Sequence, residues 1–374
     1  MVSDVVRVLV PAGAAFAIGI ACTPILTHYL YRYKAWKKNS GKIAYDGSVA
    51  SEFNRLHTKH EVRAPRMGGI VVWGSVLLTT AVLALLALLT ENPLFEQFNF
   101  LSRNQTWLPL AALLVGAIAG FIDDLLIIRP VRGQPQAAAE HEVQASNGVR
   151  PDGEGLQLRY RLAVVVALSL VIGWWFFAKL DVTAIRIPFD GPLEIGILII
   201  PFFVALSLAL FASGVIDGID GLSGGIFASV FASYAIIAFA QNQIDLAAFC
   251  ATVCGGLLAF LWFNIPPARF YMSDTGTMAL TLAIPVVAFM TDDLGDGIGV
   301  AVLPIIGALL VLTVASDILQ MFWKAAFGRK LLRIAPLHHH FEAIGWPGEK
   351  VTMRYWVLSI VFAFLGVIIA LIGR

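Results

Sequence analysis

Residues 246–290 read LAAFCATVCGGLLAFLWFNIPPARFYMSDTGTMALTLAIPVVAFM, two apolar runs joined by a short polar connection. Neither run contains a charged residue. A helix needs roughly 20 mostly apolar residues to cross a bilayer, and each run comes close to that length. The stretch therefore predicts two membrane-spanning helices, with Asn264, Tyr271 and Asp274 at or near the connection between them.

The rest of the chain repeats this pattern. Of its 374 residues, 58% are hydrophobic and 14% are charged, whereas a soluble globular chain is about 45–50% apolar and about 25% charged. This composition argues against a soluble enzyme, a nucleic-acid-binding protein and a disordered scaffold. We predict an all-α, polytopic membrane protein with about ten transmembrane helices. The predicted spans are residues 5–31, 67–89, 106–122, 162–178, 193–212, 222–240, 246–263, 275–290, 299–323 and 352–372.

The basic residues predict how this bundle is oriented. The loops of one side hold all of the 26 Lys and Arg residues except Arg7, Arg103, Lys179, Arg186 and Arg374. The positive-inside rule makes that side cytoplasmic. We expect a single bundle domain over residues 1–374 with both termini on the non-cytoplasmic side. The cytoplasmic loops expected to form the active-site face are residues 32–66, 123–161, 213–221, 264–274 and 324–351.

Acidic residues collect at predicted membrane boundaries on this face. They are Asp123, Asp124, Asp217, Asp220 and Asp274. Ionisable groups at this depth are costly unless they are paired, solvated or bound to a cation. Adjacent carboxylates such as Asp123 and Asp124 repel each other, and Mg²⁺, which prefers oxygen ligands, would relieve that repulsion. A hydrated helix end is the alternative interpretation of this pair.

The other acids occur in motifs that suit a phosphorylated ligand. In Asp217-Gly-Ile-Asp220, one helical turn would place both acids on one face, and Gly218 would allow a ligand to approach the backbone. Asp274 is placed to cap the eighth span, and a helix N-terminus also attracts phosphate. Tyr271 offers a ring on which a nucleobase could stack. A plain turn, a cap and an interfacial aromatic are the simpler alternatives.

A histidine triplet, His338-His339-His340, lies between the ninth and tenth spans. Three consecutive side chains cannot all face one way, so we do not expect a three-histidine metal site. One or two of them could donate hydrogen bonds, or a positive charge, to phosphate oxygens near neutral pH. An exposed polar turn is the alternative. Acids and histidines on one face together predict a single pocket for metal and phosphate, and hence phosphoryl transfer to an acceptor that enters from the lipid.

Four motifs carry a resemblance to a known family. They are Phe121-Ile-Asp-Asp124, Asp217-Gly-Ile-Asp-Gly-Leu222, Trp262-Phe-Asn264 with Tyr271-Met-Ser-Asp274, and Pro336-Leu-His-His-His-Phe-Glu342 with Gly345-Trp-Pro347. In this order they resemble the polyprenyl-phosphate sugar-1-phosphate transferases, most closely the branch that transfers phospho-N-acetylmuramoyl-pentapeptide. The resemblance implies transfer from UDP-MurNAc-pentapeptide to undecaprenyl phosphate, which yields lipid I and UMP for peptidoglycan synthesis and requires Mg²⁺.

The resemblance also implies roles for individual residues. It indicates Asp274 as the principal metal ligand, and Asp123 and Asp124 as further metal ligands or as the base for the lipid phosphate. The implied catalytic residues are Asp123, Asp124, Asp274, His338, His339 and His340. The implied substrate-binding residues are Asp217, Gly218, Asp220, Asn264 and Tyr271, to which we add Arg66 and Arg161. We favour direct attack by the lipid phosphate, because a single displacement needs no covalent intermediate.

Partners and location follow from the same resemblance. We expect a UDP-linked sugar donor, a polyprenyl phosphate acceptor and membrane lipids as partners, a homodimer, and no nucleic acid. The expected location is the bacterial inner membrane, with the active site facing the cytoplasm.

The chain departs from the family pattern at several positions. Arg66 stands in Ala64-Pro-Arg-Met-Gly-Gly69 where Thr is usual, Ile127 replaces a lysine, and Ser273 replaces a glycine. We expect Arg66 or Arg161, or else Arg63 or Arg159, to supply the missing cation. The segment around Arg66 resembles the N-acetylglucosamine-phosphate branch, so UDP-N-acetylglucosamine is the alternative donor.

An ion-coupled transporter is the alternative from another functional class, since buried acids often mark ion paths. Such carriers place their sites near the bilayer midplane, often between structural repeats. Only Asp317 falls clearly inside a predicted span, and the sequence shows no internal repeat. The transferase therefore explains the positions of the acids better.

Overall fold

The structure is a computed structural model that describes residues 2–36, 64–90, 92–128 and 155–373. Within them the chain forms thirteen α-helices and one two-stranded sheet. In chain order these are α1 (Val2–Arg32), α2 (Gly69–Thr90), α3 (Pro93–Phe98), α4 (Trp107–Ile128), α5 (Leu158–Lys179), β1 (Ala184–Ile187), β2 (Gly191–Glu194), α6 (Ile199–Ser213), α7 (Leu222–Ala240), α8 (Ile244–Asn264), α9 (Ser273–Met290), α10 (Gly299–Ile306), α11 (Ala308–Phe327), α12 (Leu337–Ala343) and α13 (Gly348–Ile372). Much of the predicted loops 32–66 and 123–161, including Arg63, lies outside the described residues.

Ten helical segments among the described residues are long and apolar enough to cross a membrane. Each overlaps one of the ten predicted spans, because an uninterrupted apolar run of this length has few other ways to satisfy its backbone. The prediction of an all-α, multi-pass membrane protein is confirmed. The three shorter helices, α3, α10 and α12, connect or extend these spans.

Three predicted spans differ in their boundaries from the helices of the structure. The third span does not end at residue 122, since α4 continues to Ile128 and carries both Asp123 and Asp124 inside the helix. The ninth span, 299–323, is not one helix, because the chain leaves helical geometry at Gly307, between α10 and α11. Glycine is a poor helix former, which explains a break at this position.

The fifth span begins later than residue 193. Leu193 lies in β2, which pairs antiparallel with β1 and places Leu193 opposite Ile185. β2 begins directly after the turn at Gly191, which has φ +96°, a conformation that glycine adopts without steric cost. This hairpin is fastened to the C-terminal end of α13 by a hydrogen bond from the Phe189 amide to the Gly373 carbonyl, at 2.9 Å.

Helix α9 forms the centre of the bundle. It is buried along almost its whole length and packs against α2, α4 and α6. Close approach at its N-terminal end depends on glycines, because a Cβ at Gly120 of α4 would overlap the Asp274 carbonyl, and one at Gly69 of α2 would overlap Gly276. Small residues of this kind allow membrane helices to pack backbone to backbone. The packing brings the acids of α4 beside the first turn of α9.

Candidate active site

Three carboxylates meet where α4 crosses the start of α9. One ligand oxygen from each of Asp123, Asp124 and Asp274 lies within 4.8 Å of the others. Asp123 and Asp124 are fully buried, whereas the Asp274 side chain is 24% exposed. The site is therefore an acidic pocket with one open side, at Asp274.

Asp124 is held by donors from three residues. Its Oδ2 accepts hydrogen bonds from the Ser273 hydroxyl at 2.5 Å, the Thr275 amide at 2.9 Å and the Thr275 hydroxyl at 2.6 Å. Its Oδ1 accepts a hydrogen bond from Arg66 Nε at 2.9 Å. A buried charge is tolerated when its lone pairs are satisfied in this way, and α4 can therefore continue past it.

Two arginines bridge the carboxylates and converge on Asp274. Arg66 Nη2 lies 3.4 Å from Asp274 Oδ2. Arg161 Nη1 lies 3.4 Å from the same oxygen, and its Nη2 lies 2.9 Å from Asp123 Oδ2. Burial lowers the pKa of Arg66, but the carboxylates of Asp124 and Asp274 outweigh burial and raise this pKa above its ordinary value. The guanidinium stays charged in the pocket.

The other candidate cations lie elsewhere. Arg159 is exposed, and its guanidinium lies 4.8 Å from the centre of the Tyr160 ring. It forms no ion pair with a carboxylate of the described residues. Arg63 falls outside those residues. Of the four arginines considered from the sequence, the structure thus brings Arg66 and Arg161 to the acids.

The donor set fits a divalent cation. Carboxylate oxygens are the hard ligands that Mg²⁺ prefers. Asp123 Oδ2 is buried and receives no hydrogen bond of acceptable geometry from the described residues, although Arg161 Nη2 is close to it. Asp123 Oδ1, by contrast, accepts the Leu156 amide at 2.5 Å. One oxygen of this buried carboxylate is therefore available to bind a cation.

Asp217 and Asp220 do not share a helix face as the spacing suggested. A 3₁₀ turn ends at Ile216, residues 217–221 are not helical, and the two carboxylates have different partners. Asp217 accepts hydrogen bonds from the Ser223 hydroxyl and the Ser273 amide, both at 2.7 Å. Asp220 accepts the Ala268 amide at 2.9 Å. Burial raises the pKa of Asp217, against the lowering effect of these two donors.

Asn264 ties two loops together. It is 1% exposed; its Oδ1 accepts the Gly221 amide at 2.9 Å and its Nδ2 donates to the Phe270 carbonyl at 2.8 Å. Tyr271 is half-buried, and its backbone bonds the carbonyl of Pro65 and the amide of Gly68. These contacts fix residues 217–221 and 264–271 beside the carboxylates.

Two non-glycine residues at the site have left-handed backbones. Ser273 has φ +54° and Met67 has φ +71°, and each such residue costs roughly 1–3 kcal/mol. The Met67 amide donates to the Ser273 hydroxyl at 2.8 Å, and that hydroxyl donates in turn to Asp124. A glycine at position 273 would avoid the strain but would lose both hydrogen bonds of the hydroxyl. The serine therefore has a less favourable backbone conformation and two additional polar contacts.

The histidines belong to a short helix, α12, and not to an exposed turn. His338 and His339 are 0% and 3% exposed, and His340 Nδ1 accepts the Arg333 amide at 3.2 Å. His339 Nδ1 lies 2.7 Å from Glu342 Oε2. The Nε2 edges of His338 and His339 face Gly218. The triplet therefore packs against the Asp217–Gly221 turn.

Sequence reasoning missed three residues that position α12. Glu342 follows His339 by one helical turn, a spacing that could have revealed the contact. Two residues of α11 hold the start of α12 and the segment before it: Ser316 Oγ accepts the Leu337 amide at 3.0 Å, and Gln320 Oε1 accepts the Leu332 amide at 2.9 Å. Asp317 lies half-buried between them on α11. No local signal in the sequence connects α11 to α12.

Gly218→Ala is expected to lower turnover by about 100-fold, because a small displacement at a reacting centre can have that effect. The added Cβ would lie 2.6 Å from His339 Nε2, and the imidazole is held by Glu342 and cannot easily move. The initial rate of product release checks this. Gly13→Ala, whose Cβ would meet open space in α1, is the control and should match the wild type. Full activity of the Gly218 variant would contradict the packing argument.

Comparison with known proteins gives consistent matches over the whole chain. Residues 106–292 match the family model described as glycosyl transferase family 4. A protein of Chloroflexus aurantiacus is 29% identical over 100% of this chain and 92% of its own length. One of Bacillus anthracis is 31% identical over 96% of this chain and 97% of its own, and one of Anoxybacillus flavithermus is 30% identical over 97% of each. All three bear the name phospho-N-acetylmuramoyl-pentapeptide-transferase.

Proposed function

Because the chain belongs to glycosyl transferase family 4, among the phospho-N-acetylmuramoyl-pentapeptide transferases, we propose that it makes lipid I and UMP. The donor is UDP-MurNAc-pentapeptide and the acceptor is undecaprenyl phosphate. The observation that carries this proposal is the meeting of three carboxylates with two arginines in one partly open pocket. Such a pocket suits phosphoryl transfer, in which positioning and charge neutralisation supply most of the catalysis.

The bond changes are those of a single displacement. An oxygen of the lipid phosphate attacks the phosphorus that carries the sugar, and the bond from that phosphorus to the UMP oxygen breaks. UMP leaves with the electron pair. No atom of the protein needs to join the substrate, and the pocket provides only charge and position.

Mg²⁺ is the divalent cation we propose, with Asp274, Asp123 and Asp124 as the residues that hold it. When bound, it would neutralise charge on the phosphates. Asp124 already accepts four hydrogen bonds, so its principal contribution is to fix Ser273, Thr275 and Arg66 around the other two acids. Arg66 and Arg161 take the place of the family's lysine as cations for phosphate oxygens.

The Asp217–Gly221 turn, with Asn264 and Tyr271, is the proposed nucleotide-binding region. Asp217 and Asp220 fix the shape of this turn through backbone amides. His338 and His339 support the turn from behind, while His340 is the most exposed of the three. Their contact with Gly218 favours a positioning role for the two buried histidines.

The proposed topology places this pocket at the cytoplasmic side of the bacterial inner membrane. It rests on the basic residues of the loops that carry the site and on the positive-inside rule. The ten helices are compatible with both termini on the opposite side. An acceptor lipid would then reach the carboxylates from the inner leaflet.

Release of UMP should occur with UDP-MurNAc-pentapeptide and a polyprenyl phosphate, and should fall to background with EDTA. Added Mg²⁺ should restore it, because the three carboxylates need a divalent counter-ion to receive phosphate charge. UDP-N-acetylglucosamine, tested beside it, should react at least about 100-fold more slowly, a difference of roughly 2.7 kcal/mol in transition-state binding.

Two outcomes would overturn the proposal. A preference for UDP-N-acetylglucosamine would assign the chain to the alternative donor. Proton-driven uptake into liposomes without UMP release from either donor would favour the transporter.

A further inference from the structure

Arg161 occupies the position between two carboxylates that a bound cation would take. Its Nη2 lies 2.9 Å from Asp123 Oδ2 and its Nη1 lies 3.4 Å from Asp274 Oδ2. These two oxygens belong to the acids that are least satisfied by other donors. A metal ion that used both oxygens would meet the guanidinium directly.

Arg66 differs from Arg161 in how firmly it is held. Arg66 Nε makes a hydrogen bond of good geometry to Asp124 at 2.9 Å. The contact of Arg161 with Asp123 is an ion pair without hydrogen-bond geometry, since within the part of the chain that the structure describes Asp123 Oδ2 accepts no hydrogen bond. Arg161 Nε instead donates to the Leu156 carbonyl at 3.1 Å. Its guanidinium is thus attached at one edge to the backbone, makes one long hydrogen bond of 3.4 Å to Asp274 Oδ2, and meets Asp123 only as an ion pair.

We propose that Arg161 and the divalent cation compete for Asp123 and Asp274, and that the displaced guanidinium binds a phosphate oxygen of the nucleoside diphosphate. This inference rests on the proposed function for the class of ligand. The planar guanidinium has donors on two edges and matches phosphate as well as carboxylate. The bond to Leu156 would keep it beside the pocket after displacement.

The competing interpretation makes Arg161 a fixed clamp. Through Leu156 it holds residues 155–157 over Asp123, whose Oδ1 accepts the Leu156 amide. If that were its whole role, removing Arg161 would loosen the carboxylates and weaken metal binding. Competition predicts the opposite sign, because removing a neighbouring positive charge strengthens the binding of another cation. The two interpretations are therefore separable by one titration.

The experiment measures Mn²⁺ alone by electron paramagnetic resonance, with the full chain in lipid nanodiscs. Arg161→Gln should bind Mn²⁺ about 10-fold more tightly than the wild type. With saturating Mg²⁺, its affinity for UDP should fall about 10-fold, since one charge-assisted contact to phosphate is lost. Arg159→Gln removes the same charge two residues away, where the side chain touches Tyr160 and none of the acids, and should leave both affinities unchanged.

A conservative variant distinguishes a changed affinity from a misfolded protein. Arg161→Lys keeps the charge but cannot span both carboxylates, so both affinities should shift in the same directions by smaller factors. Unfolding temperatures identify a variant that has lost its fold. Mn²⁺ affinity that is unchanged or weaker in both variants overturns the competition, and unchanged UDP affinity overturns the phosphate contact.

Neither titration requires turnover. If the wild type releases no UMP from either donor while both affinities change as expected, the proposed function fails and the inference stands. If UMP is released and the two affinities do not change, the proposed function stands and the inference about Arg161 fails.

Discussion

Asp274→Asn is expected to lower the rate of UMP release by about 1000-fold while the protein remains folded. The amide has the shape of the carboxylate but not its charge. Both Arg66 and Arg161 lie 3.4 Å from Asp274 Oδ2. Removing its negative charge would therefore leave both guanidinium groups with one anionic partner fewer. Its side chain is 24% exposed, and water can solvate the amide, so the cost in stability should be small.

The matched control is Asp245→Asn. Asp245 also lies in the first turn of its helix, α8, is also 24% exposed, and also pairs with an arginine, Arg7, at 3.6 Å. It is far from the pocket in the fold and should leave turnover unchanged. Initial rates at saturating donor, with unfolding temperatures measured in parallel, decide the matter. An Asp274 variant within about tenfold of the wild type would exclude a central role for this charge.

Asp124→Asn should reduce both activity and stability. The carboxylate accepts four hydrogen bonds, and an amide would turn its NH₂ group toward donors of Ser273 and Thr275 or of Arg66. Removing one partner of a buried ion pair costs about 3–5 kcal/mol. We expect a loss of unfolding free energy near the lower end of that range and a fall in turnover of about 1000-fold.

Asp292→Asn is the control that separates the loss of activity from the loss of stability. Asp292 is 2% exposed and accepts the Arg186 and Val300 amides at 2.9 and 2.8 Å. It follows the C-terminal end of α9, about 27 Å along the helix from the site. Its variant should lose stability but keep its turnover per folded molecule. If the Asp124 variant were as stable as the wild type, the donors around it would not form the network described.

The spans were predictable because apolar runs are local. What the sequence could not show is where a helix continues through charged residues. Asp123 and Asp124 were taken to end a span. The charge of Asp124 is met by Arg66, Ser273 and Thr275, and that of Asp123 by Arg161, all of them distant along the chain. A hydropathy profile contains the unfavourable free energy of burying the acids, but it contains no information on the distant side chains that pair with them.

The site followed the same rule. The acidic residues and the histidines were identified as candidates from residue type and motif, whereas their pairings were not. Arg161 and Asp274 are 113 residues apart in sequence, and nothing local relates them. Short-range contacts such as His339 with Glu342 lie within reach of helical spacing. The separate partners of Asp217 and Asp220 were missed because a spacing of three indicates one face only if the segment is helical.

The central position of α9 bears on how the pocket responds to substrate. Its backbone is enclosed by α2, α4 and α6, so the Asp274 carboxylate is carried by a helix that is buried along almost its whole length. Arg66 precedes α2 and Arg161 lies in the first turn of α5, and both side chains are partly exposed. When charge moves between phosphates during the reaction, the carboxylates would then stay in place. The polar side chains that rearrange would be the two arginines.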